Sequence, residues 1–314
     1  MHVLYPEISP YDQCMLNVDG GHVIYLEQSG NPQGLPVIFL HGGPGSGSNE
    51  NHRRYFNPEK YRIIIFDQRG CNRSTPQGGI KSNTTRDLIQ DMEQIRNHLS
   101  IHTWLVFGGS WGVTLGLLYA EAYPQYVAGM VLRGAFLARH SDLDWFVRSG
   151  LNRVFPDYWQ ELTGIIPVAE RDDLITAYYR RVIEGDRATR EKYAKAWSLW
   201  SGRVVTYTLE DATEEEDINT IIKRVSIELH YARNRYFITE NQILANIINI
   251  PEVPIIIVHG RRDLTCTLEA SWSLHQALPT SDFIIIKDAG HLAGEPPMID
   301  ALVSATDRIW SLLT

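Results

Sequence analysis

The stretch WLVFGGSWGVTLGLLYA, Trp104–Ala120, places a single serine, Ser110, between an apolar run and an apolar helical pattern. Its central residues, from Gly108 to Gly112, fit the pattern G-x-S-x-G. In a nucleophile elbow the serine occupies a strained turn from a strand into a helix, and glycines let the two backbones approach closely. A glycine-rich turn with a passive serine is the alternative. The context predicts a strand–serine–helix unit and makes Ser110 a candidate nucleophile.

Similar apolar runs occur on both sides of this stretch, and several are almost free of polar residues. Such runs are typical of central strands in a parallel sheet that helices cover on both faces. Helical patterns at Thr85–Leu99 and Trp111–Tyr123 separate some of them. The alternation predicts an α/β fold with a doubly wound, mostly parallel sheet. The other predicted strands begin at His22, Pro36, Arg62, Val127, Val253 and Ser281.

The middle of the chain has a different pattern. Residues 136–248 contain little that resembles a strand and are rich in Trp, Tyr, Arg and Glu at helical spacing. We therefore predict a helical cap lobe at 136–248, inserted into a core formed by residues 1–135 and 249–314. The acidic run Thr208–Ile218 within the cap is predicted to be a solvated loop or the start of a helix.

Composition and charge indicate a globular protein and argue against some classes of partner. The chain has 314 residues, of which 44% are hydrophobic and 21% charged, as in soluble globular proteins. Its net charge of -8 argues against nucleic acid or an anionic membrane as partner. Three widely spaced cysteines without zinc spacing, and no visible signal peptide, predict reduced thiols in the cytoplasm. No metal or organic cofactor is implied, and the oligomeric state stays open.

A serine nucleophile needs a base and an acid, which in this architecture follow it along the chain. Asp263 ends the run VPIIIVHGRRD, and His291 ends IIIKDAGH. Both follow apolar strands, where open α/β sheets place their chemistry. Asp288 is the rival acid, but three residues before His291 it is more typical of a turn. We predict the triad Ser110, Asp263 and His291.

An acyl-transfer reaction also needs donors for the oxyanion. The segment FLHGGPG, Phe39–Gly45, follows an early strand and exposes backbone N–H groups at a glycine pair. Together with the N–H of Trp111 they would form an oxyanion hole. A plain Gly-Pro turn is the alternative. Cys266, three residues after Asp263, is interpreted as packed near the triad, where a thiol reagent would block the cleft.

Several motifs taken together resemble the prolyl aminopeptidases, also called proline iminopeptidases. They are HGGPG, FDQRGCNRS, NTTRDLIQDMEQIR, GGSWG, VLRGAF, VHGRRD and AGH, and cap segments such as AKAWSLW extend the resemblance over nearly the whole chain. Members of this family are serine peptidases of the α/β-hydrolase fold with a helical cap. The resemblance implies the same triad and places the oxyanion donors at Gly43 and Trp111. It also implies that Phe136 and Phe237 line the pocket for the proline ring.

The chain departs from the family where the substrate amine would bind. The family holds this amine with two cap glutamates, one directly after the W-x-x-W pair. Here that position is Ser201, and the second glutamate is either replaced by Arg233 or deleted. Losing one partner of a buried charge pair costs about 2–5 kcal/mol, roughly 30-fold to several thousand-fold in binding. Glu228 is the nearest substitute, although a solvated face is the more ordinary place for such a glutamate.

Three functions compete at this point. The first is a serine aminopeptidase that releases N-terminal proline or a related residue from small peptides. The second is an esterase or amidase of the same fold whose substrates lack a free amine, as the missing glutamates suggest. The third is a non-catalytic binding protein, against which the complete triad and oxyanion loop argue. The resemblance of the remaining cap favours the aminopeptidase.

Overall fold

A single eight-stranded sheet forms the centre of the molecule. The computed structural model describes residues 1–206 and 216–314. In these residues the spatial strand order is β1-β2-β4-β3-β5-β6-β7-β8. The strands are β1 (Asp12–Val18), β2 (His22–Gly30), β3 (Leu35–Leu40), β4 (Tyr61–Phe66), β5 (Trp104–Gly109), β6 (Val127–Arg133), β7 (Ile255–Gly260) and β8 (Asp282–Ile286).

The sheet is mostly parallel, as predicted. From β4 to β8 every neighbouring pair is parallel, whereas β2 is antiparallel to both β1 and β4. All strands expected from apolar runs are present. The edge strand β1 was not predicted, because its sequence DQCMLNV alternates between exposed and partly buried positions and contains no apolar run.

Helices cover both faces of the sheet and fill the region between β6 and β7. The two helices expected from periodicity are present, and each ends one residue earlier than predicted. The helices are α1 (Thr85–His98), α2 (Trp111–Ala122), α3 (His140–Asp144), α4 (Leu151–Val154), α5 (Pro156–Gly164), α6 (Leu174–Tyr179), α7 (Arg187–Thr206), α8 (Ile218–Arg233), α9 (Gln242–Ala245), α10 (Leu268–Ala277) and α11 (Pro296–Leu313). No helix in the described part of the chain is long and apolar enough to cross a membrane.

The strands are apolar because both faces of the sheet are buried. Along β5, Val106 packs into one hydrophobic cluster, which includes residues of α2. Its neighbour Phe107 points to the opposite face and packs into another, which includes residues of α11. Alternate residues of a strand point to opposite faces, so a sheet covered on both sides requires apolar residues throughout.

Between Arg133 and Ile255 the described residues form helices and turns without a strand. Part of this region has its own aromatic core, which includes Trp197 and Trp200 of α7. Helix α8 contributes Leu229 to this aromatic core. It contributes Ile227 to the hydrophobic cluster that contains Val106. The cap boundaries 136–248 stay a prediction. Of the acidic run predicted as loop or helix start, Thr208–Glu215 lies outside the described residues.

Candidate active site

Ser110 occupies the turn between β5 and α2 in the conformation of a nucleophile elbow. Its backbone angles are φ 56° and ψ -121°, a strained conformation for a residue with a side chain. The flanking glycines make the turn possible. A Cβ atom at Gly108 would overlap the Gly112 carbonyl oxygen, and one at Gly112 would overlap the carbonyl oxygen of Leu40. The structure therefore gives a steric reason for the glycines around the serine.

The predicted acid and base meet at the carboxyl end of the sheet. The distance from Nδ1 of His291 to Oδ2 of Asp263 is 2.7 Å, and both residues are buried. The other carboxylate oxygen, Oδ1, accepts the backbone N–H groups of Thr265 and Cys266 at 2.9 and 2.8 Å. Burial tends to raise the pKa of Asp263, but the charge and hydrogen bond of His291 outweigh it and lower the pKa. The aspartate is thus fixed as a carboxylate.

Ser110 and His291 line one cavity of about 1260 Å³. The described hydrogen bonds include none between these two side chains. The Ser110 hydroxyl lies 3.8 Å from Sγ of Cys266. Catalytic hydrogen bonds are often loose without substrate and tighten when it binds. The arrangement brings the predicted nucleophile, base and acid to one end of the sheet, and no described hydrogen bond occupies Nε2 of His291.

The glycine loop after β3 lies beside the serine. A Cβ atom at Gly42 would be 3.6 Å from Cβ of Ser110, which shows how closely the loop approaches the elbow. Among the described hydrogen bonds, none is donated by the backbone N–H groups of Gly43 or Trp111. Trp111 is the first residue of α2, where an N–H has no acceptor within the helix. Both predicted donors therefore remain available to an oxyanion.

A second histidine, His259 at the end of β7, lies beside the acid and was not predicted. Its Nε2 is 3.7 Å from Oδ2 of Asp263 and donates a hydrogen bond of 3.1 Å to the carbonyl oxygen of Cys266. Its Nδ1 accepts from the hydroxyl of Ser271 at 2.7 Å. Burial lowers the pKa of His259 to about 4, so the ring is neutral. The motif VHGRRD contains this residue, but sequence alone does not distinguish it from other buried histidines.

Two residues at the end of β6, Arg133 and Gly134, also contact the predicted triad. Gly134 has φ +57°, and a Cβ atom there would lie 3.2 Å from Oδ2 of Asp263 and 3.5 Å from Nδ1 of His291. Arg133 donates a hydrogen bond to the carbonyl oxygen of His291. The motif VLRGAF therefore supports the predicted acid–base pair, a role that its sequence alone does not reveal.

The two predicted pocket aromatics are placed differently. Phe136 lines the cavity and packs edge-on against Tyr236, with ring centroids 4.9 Å apart. Phe237 does not line the cavity, because its side chain packs against His230, 5.1 Å away, and against Tyr231. Its neighbour Tyr236 lines the cavity instead. Both belong to a short turn after α8 in which backbone φ values are positive, so the sequence could not show which ring faces inward.

Glu228 lies in the cavity wall rather than on an open surface, and 17% of its side chain is exposed. Its carboxylate accepts hydrogen bonds from Nε1 of Trp197 at 3.0 Å and from Nη1 of Arg224 at 3.2 Å. Burial raises its pKa, and Arg224 partly offsets that effect. Ser201 also lines the cavity, whereas Arg233 is exposed and donates to Thr176. Ser201, where the sequence lacks the first family glutamate, therefore faces the cavity, whereas Arg233, one candidate for the second position, does not.

In residues 1–206 and 216–314 no group of three or more His, Cys, Asp or Glu side chains is arranged to hold a metal ion. The three cysteines, Cys14, Cys71 and Cys266, are free.

Comparison with known proteins identifies the family. A model of the α/β hydrolase fold matches residues 36–296. Relatives named proline iminopeptidase, from Xanthomonas citri and Xylella fastidiosa, are 47% and 46% identical over 98% of this chain and 99% of their own. The solved structure of an esterase from Rhodococcus sp. ECU1013 has a TM-score of 0.62 at 18% identity, covering 98% of this chain and all of its own, and supports the fold alone. The chain belongs to the proline iminopeptidase family of α/β-hydrolase-fold serine hydrolases.

Proposed function

We propose that this protein releases N-terminal proline, or a closely related residue, from small peptides through an acyl-enzyme at Ser110. The observation that carries the proposal is the 2.7 Å hydrogen bond between His291 and Asp263 at the cavity that Ser110 lines. The names of the relatives supply the substrate class. The free cysteines suit action in the cytoplasm.

The proposed mechanism follows from the protonation states in the site. Asp263 holds the proton of His291 on Nδ1, so that Nε2 takes the proton of the Ser110 hydroxyl as it attacks the substrate carbonyl. The N–H groups of Gly43 and Trp111 stabilise the oxyanion of the tetrahedral intermediate. His291 then protonates the departing amine, and water hydrolyses the acyl-enzyme in a second cycle of the same steps.

For the substrate amine we propose Glu228 as the partner. It is the cavity carboxylate that two cap side chains, Trp197 and Arg224, hold in place. A prolyl ring would pack against Phe136 and Tyr236, which lie in the same cavity. A cationic amine beside Glu228 compensates a largely buried carboxylate, which is the condition under which a desolvated charge is tolerated.

One observation favours the second candidate, an esterase or amidase for substrates without a free amine. Arg224 already neutralises Glu228, and its other donors reach Ser198 at 2.9 Å and Glu216 at 2.7 Å. An amine at Glu228 must therefore share its carboxylate with a guanidinium. If Arg224 stays in place, the cavity carries less negative charge than an amine site needs.

Hydrolysis of three chromogenic substrates separates the two candidates: a proline amide, an acetyl-proline amide and a short-chain ester, with Ser110→Ala as blank. We expect the free proline amide to be preferred and Glu228→Gln to weaken that preference by 30-fold or more, as for a lost buried charge partner. The ester should be affected little, since it has no amine.

Glu216→Gln is the matched control, because Glu216 pairs with the same arginine at 2.7 Å but is 40% exposed. This variant should keep the preference for free proline. Turnover of the ester or the blocked amide while the free proline amide is ignored would overturn the aminopeptidase proposal in favour of the second candidate.

A further inference from the structure

Gln68 and His41 form a buried polar group behind the proposed oxyanion hole. Gln68 follows β4 and is 1% exposed, whereas His41 follows β3 and is 2% exposed. Neither belongs to the triad. A buried amide and a buried imidazole are costly unless every polar atom has a partner, so their hydrogen bonds are informative.

The hydrogen bonds determine the orientation of the Gln68 amide. Nε1 of Trp111 is a donor only, and it lies 2.9 Å from Oε1 of Gln68. The amide nitrogen of Gln68 therefore points the other way, and it donates to the carbonyl oxygen of His41 at 2.9 Å. The Gln68 side chain thus connects the first residue of α2 to the end of β3.

The same reasoning determines the tautomer of His41. The backbone N–H of Gln68 donates to Nε2 of His41 at 3.0 Å, so Nε2 is the acceptor. Nδ1 then carries the proton and donates it to the carbonyl oxygen of Gly42 at 3.0 Å. Burial lowers the pKa of His41, which favours the neutral ring, and the two hydrogen bonds select this tautomer.

The bond to Gly42 orients the peptide that contains an oxyanion donor. The carbonyl of Gly42 and the N–H of Gly43 belong to one peptide group, which is not among the cis peptides of the described residues. In a trans peptide these two groups point in opposite directions. Holding the Gly42 oxygen toward His41 therefore directs the Gly43 N–H away from the ring, on the side where the described residues give it no acceptor.

We propose that His41 and Gln68 are positioning residues that hold the N–H groups of Gly43 and Trp111 in the arrangement a tetrahedral oxyanion requires. The inference rests on the proposed acyl-enzyme reaction at Ser110. His41 acts through the Gly42 carbonyl and Gln68 acts through Trp111, so neither needs to touch the reacting atoms. Their effect should appear in the transition state and not in substrate binding.

Two substitutions of His41 distinguish its nitrogen atoms. In His41→Asn the amide nitrogen takes the place of Nδ1 and keeps the donor to Gly42. In His41→Gln the amide oxygen takes the place of Nε2 and accepts the N–H of Gln68, and the Gly42 carbonyl oxygen loses its donor. We expect kcat to fall less than about 10-fold in His41→Asn but about 10²–10³-fold in His41→Gln and Gln68→Leu, the range for a lost oxyanion donor. KM should change less than about 3-fold, as expected for an interaction made only in the transition state.

A boronic acid that forms a tetrahedral adduct with the serine provides the second readout. Its affinity should fall by the same factor as kcat, while the affinity for a non-covalent competitive inhibitor should not change. Thr306→Val is the structural control, because it removes a buried hydroxyl bonded to the carbonyl oxygen of Tyr55 at 2.7 Å, away from the cavity. It should lower Tm and leave kcat unchanged.

The substrate for these measurements is the short-chain ester, with Ser110→Ala as blank. If the wild-type protein hydrolyses the ester and not the proline amide, the proposed proline substrate is wrong. The roles of His41 and Gln68 can still be tested with the ester. The positioning role is overturned if folded His41→Gln keeps wild-type kcat. It is equally overturned if His41→Asn and His41→Gln lose the same factor, or if boronate affinity does not follow kcat.

Discussion

Nδ1 of His291 donates to Oδ2 of Asp263 across 2.7 Å, although 28 residues separate them along the chain. The contact exists because β7 and β8 are parallel neighbours, so the loops that follow them emerge at the same edge of the sheet. Ser110 reaches this edge from β5, two strands away from β7. The order of the strands therefore assembles the proposed triad, and the loops supply its side chains.

The choice between the two candidate acids can be tested directly. Asp263→Asn should lower kcat by about 10³–10⁴-fold, because the amide no longer holds the productive tautomer of His291. Asp288→Asn should leave kcat unchanged, since this side chain is 73% exposed and pairs with Arg262 on the surface. Steady-state kinetics of both variants tests this prediction. A large loss of kcat in Asp288→Asn would make Asp288 the acid instead of Asp263.

Gly134 should be sensitive to a single added methyl group. In Gly134→Ala the side chain occupies a backbone with φ +57° and lies 3.2 Å from Oδ2 of Asp263. We expect a loss of about 1–3 kcal/mol in the free energy of unfolding. We also expect kcat to fall about 10-fold or more, since small displacements of catalytic groups are costly.

Gly164→Ala is the matched control, because an added Cβ there has no atom within 4 Å. It should keep kcat. Equal kcat values in the two variants would show that the space at Gly134 is not needed by the acid–base pair.

Acid should destabilise the fold through buried neutral histidines. The pKa of His259 is lowered to about 4 by burial, whereas in the unfolded chain it is near 6.5. Between these values the unfolded state binds the extra proton, so the free energy of unfolding falls as the pH decreases from about 6.5 to 4.

His259→Gln isolates this contribution, because the amide can still donate to the Cys266 carbonyl oxygen. Urea titrations at pH 7 and pH 5 should show that the wild type loses about 1–2 kcal/mol more than the variant between these pH values. A wild type and variant with the same pH dependence would mean that the pKa of His259 is the same in the folded and unfolded states, and would contradict the prediction.

Cys266 should take no part in the reaction, although its thiol lies beside the Ser110 hydroxyl. Burial, together with the charge of Asp263, raises the pKa of its thiol well above the ordinary value, so the thiolate is scarce at neutral pH. Cys266→Ser should therefore keep kcat within a few-fold.

Alkylation of the wild type should be slow and should abolish activity, because the adduct would fill space 3.8 Å from the Ser110 hydroxyl. Cys266→Ser keeps Cys14 and Cys71 and should resist inactivation by the same reagent. Activity that survives modification confirmed at Cys266 by mass spectrometry would contradict this prediction.

The sheet could be predicted from sequence because its physical cause is local and repeated. A strand buried on both faces needs apolar residues at consecutive positions, and β3 to β7 have them. The elbow is equally local, since a serine in a strained turn against two backbones needs Gly108 and Gly112 beside it. The edge strand β1 was missed because one exposed edge and an alternating face leave no such run.

What the sequence determined, then, were the strands, the elbow around Ser110 and the candidates Asp263 and His291, because each depends on neighbours along the chain. Only the tertiary structure decided which distant groups meet. It placed Tyr236 instead of Phe237 in the cavity and paired Glu228 with Arg224. It also brought His259 to Asp263. These contacts depend on the packing of elements far apart in sequence, and burial then sets their protonation states.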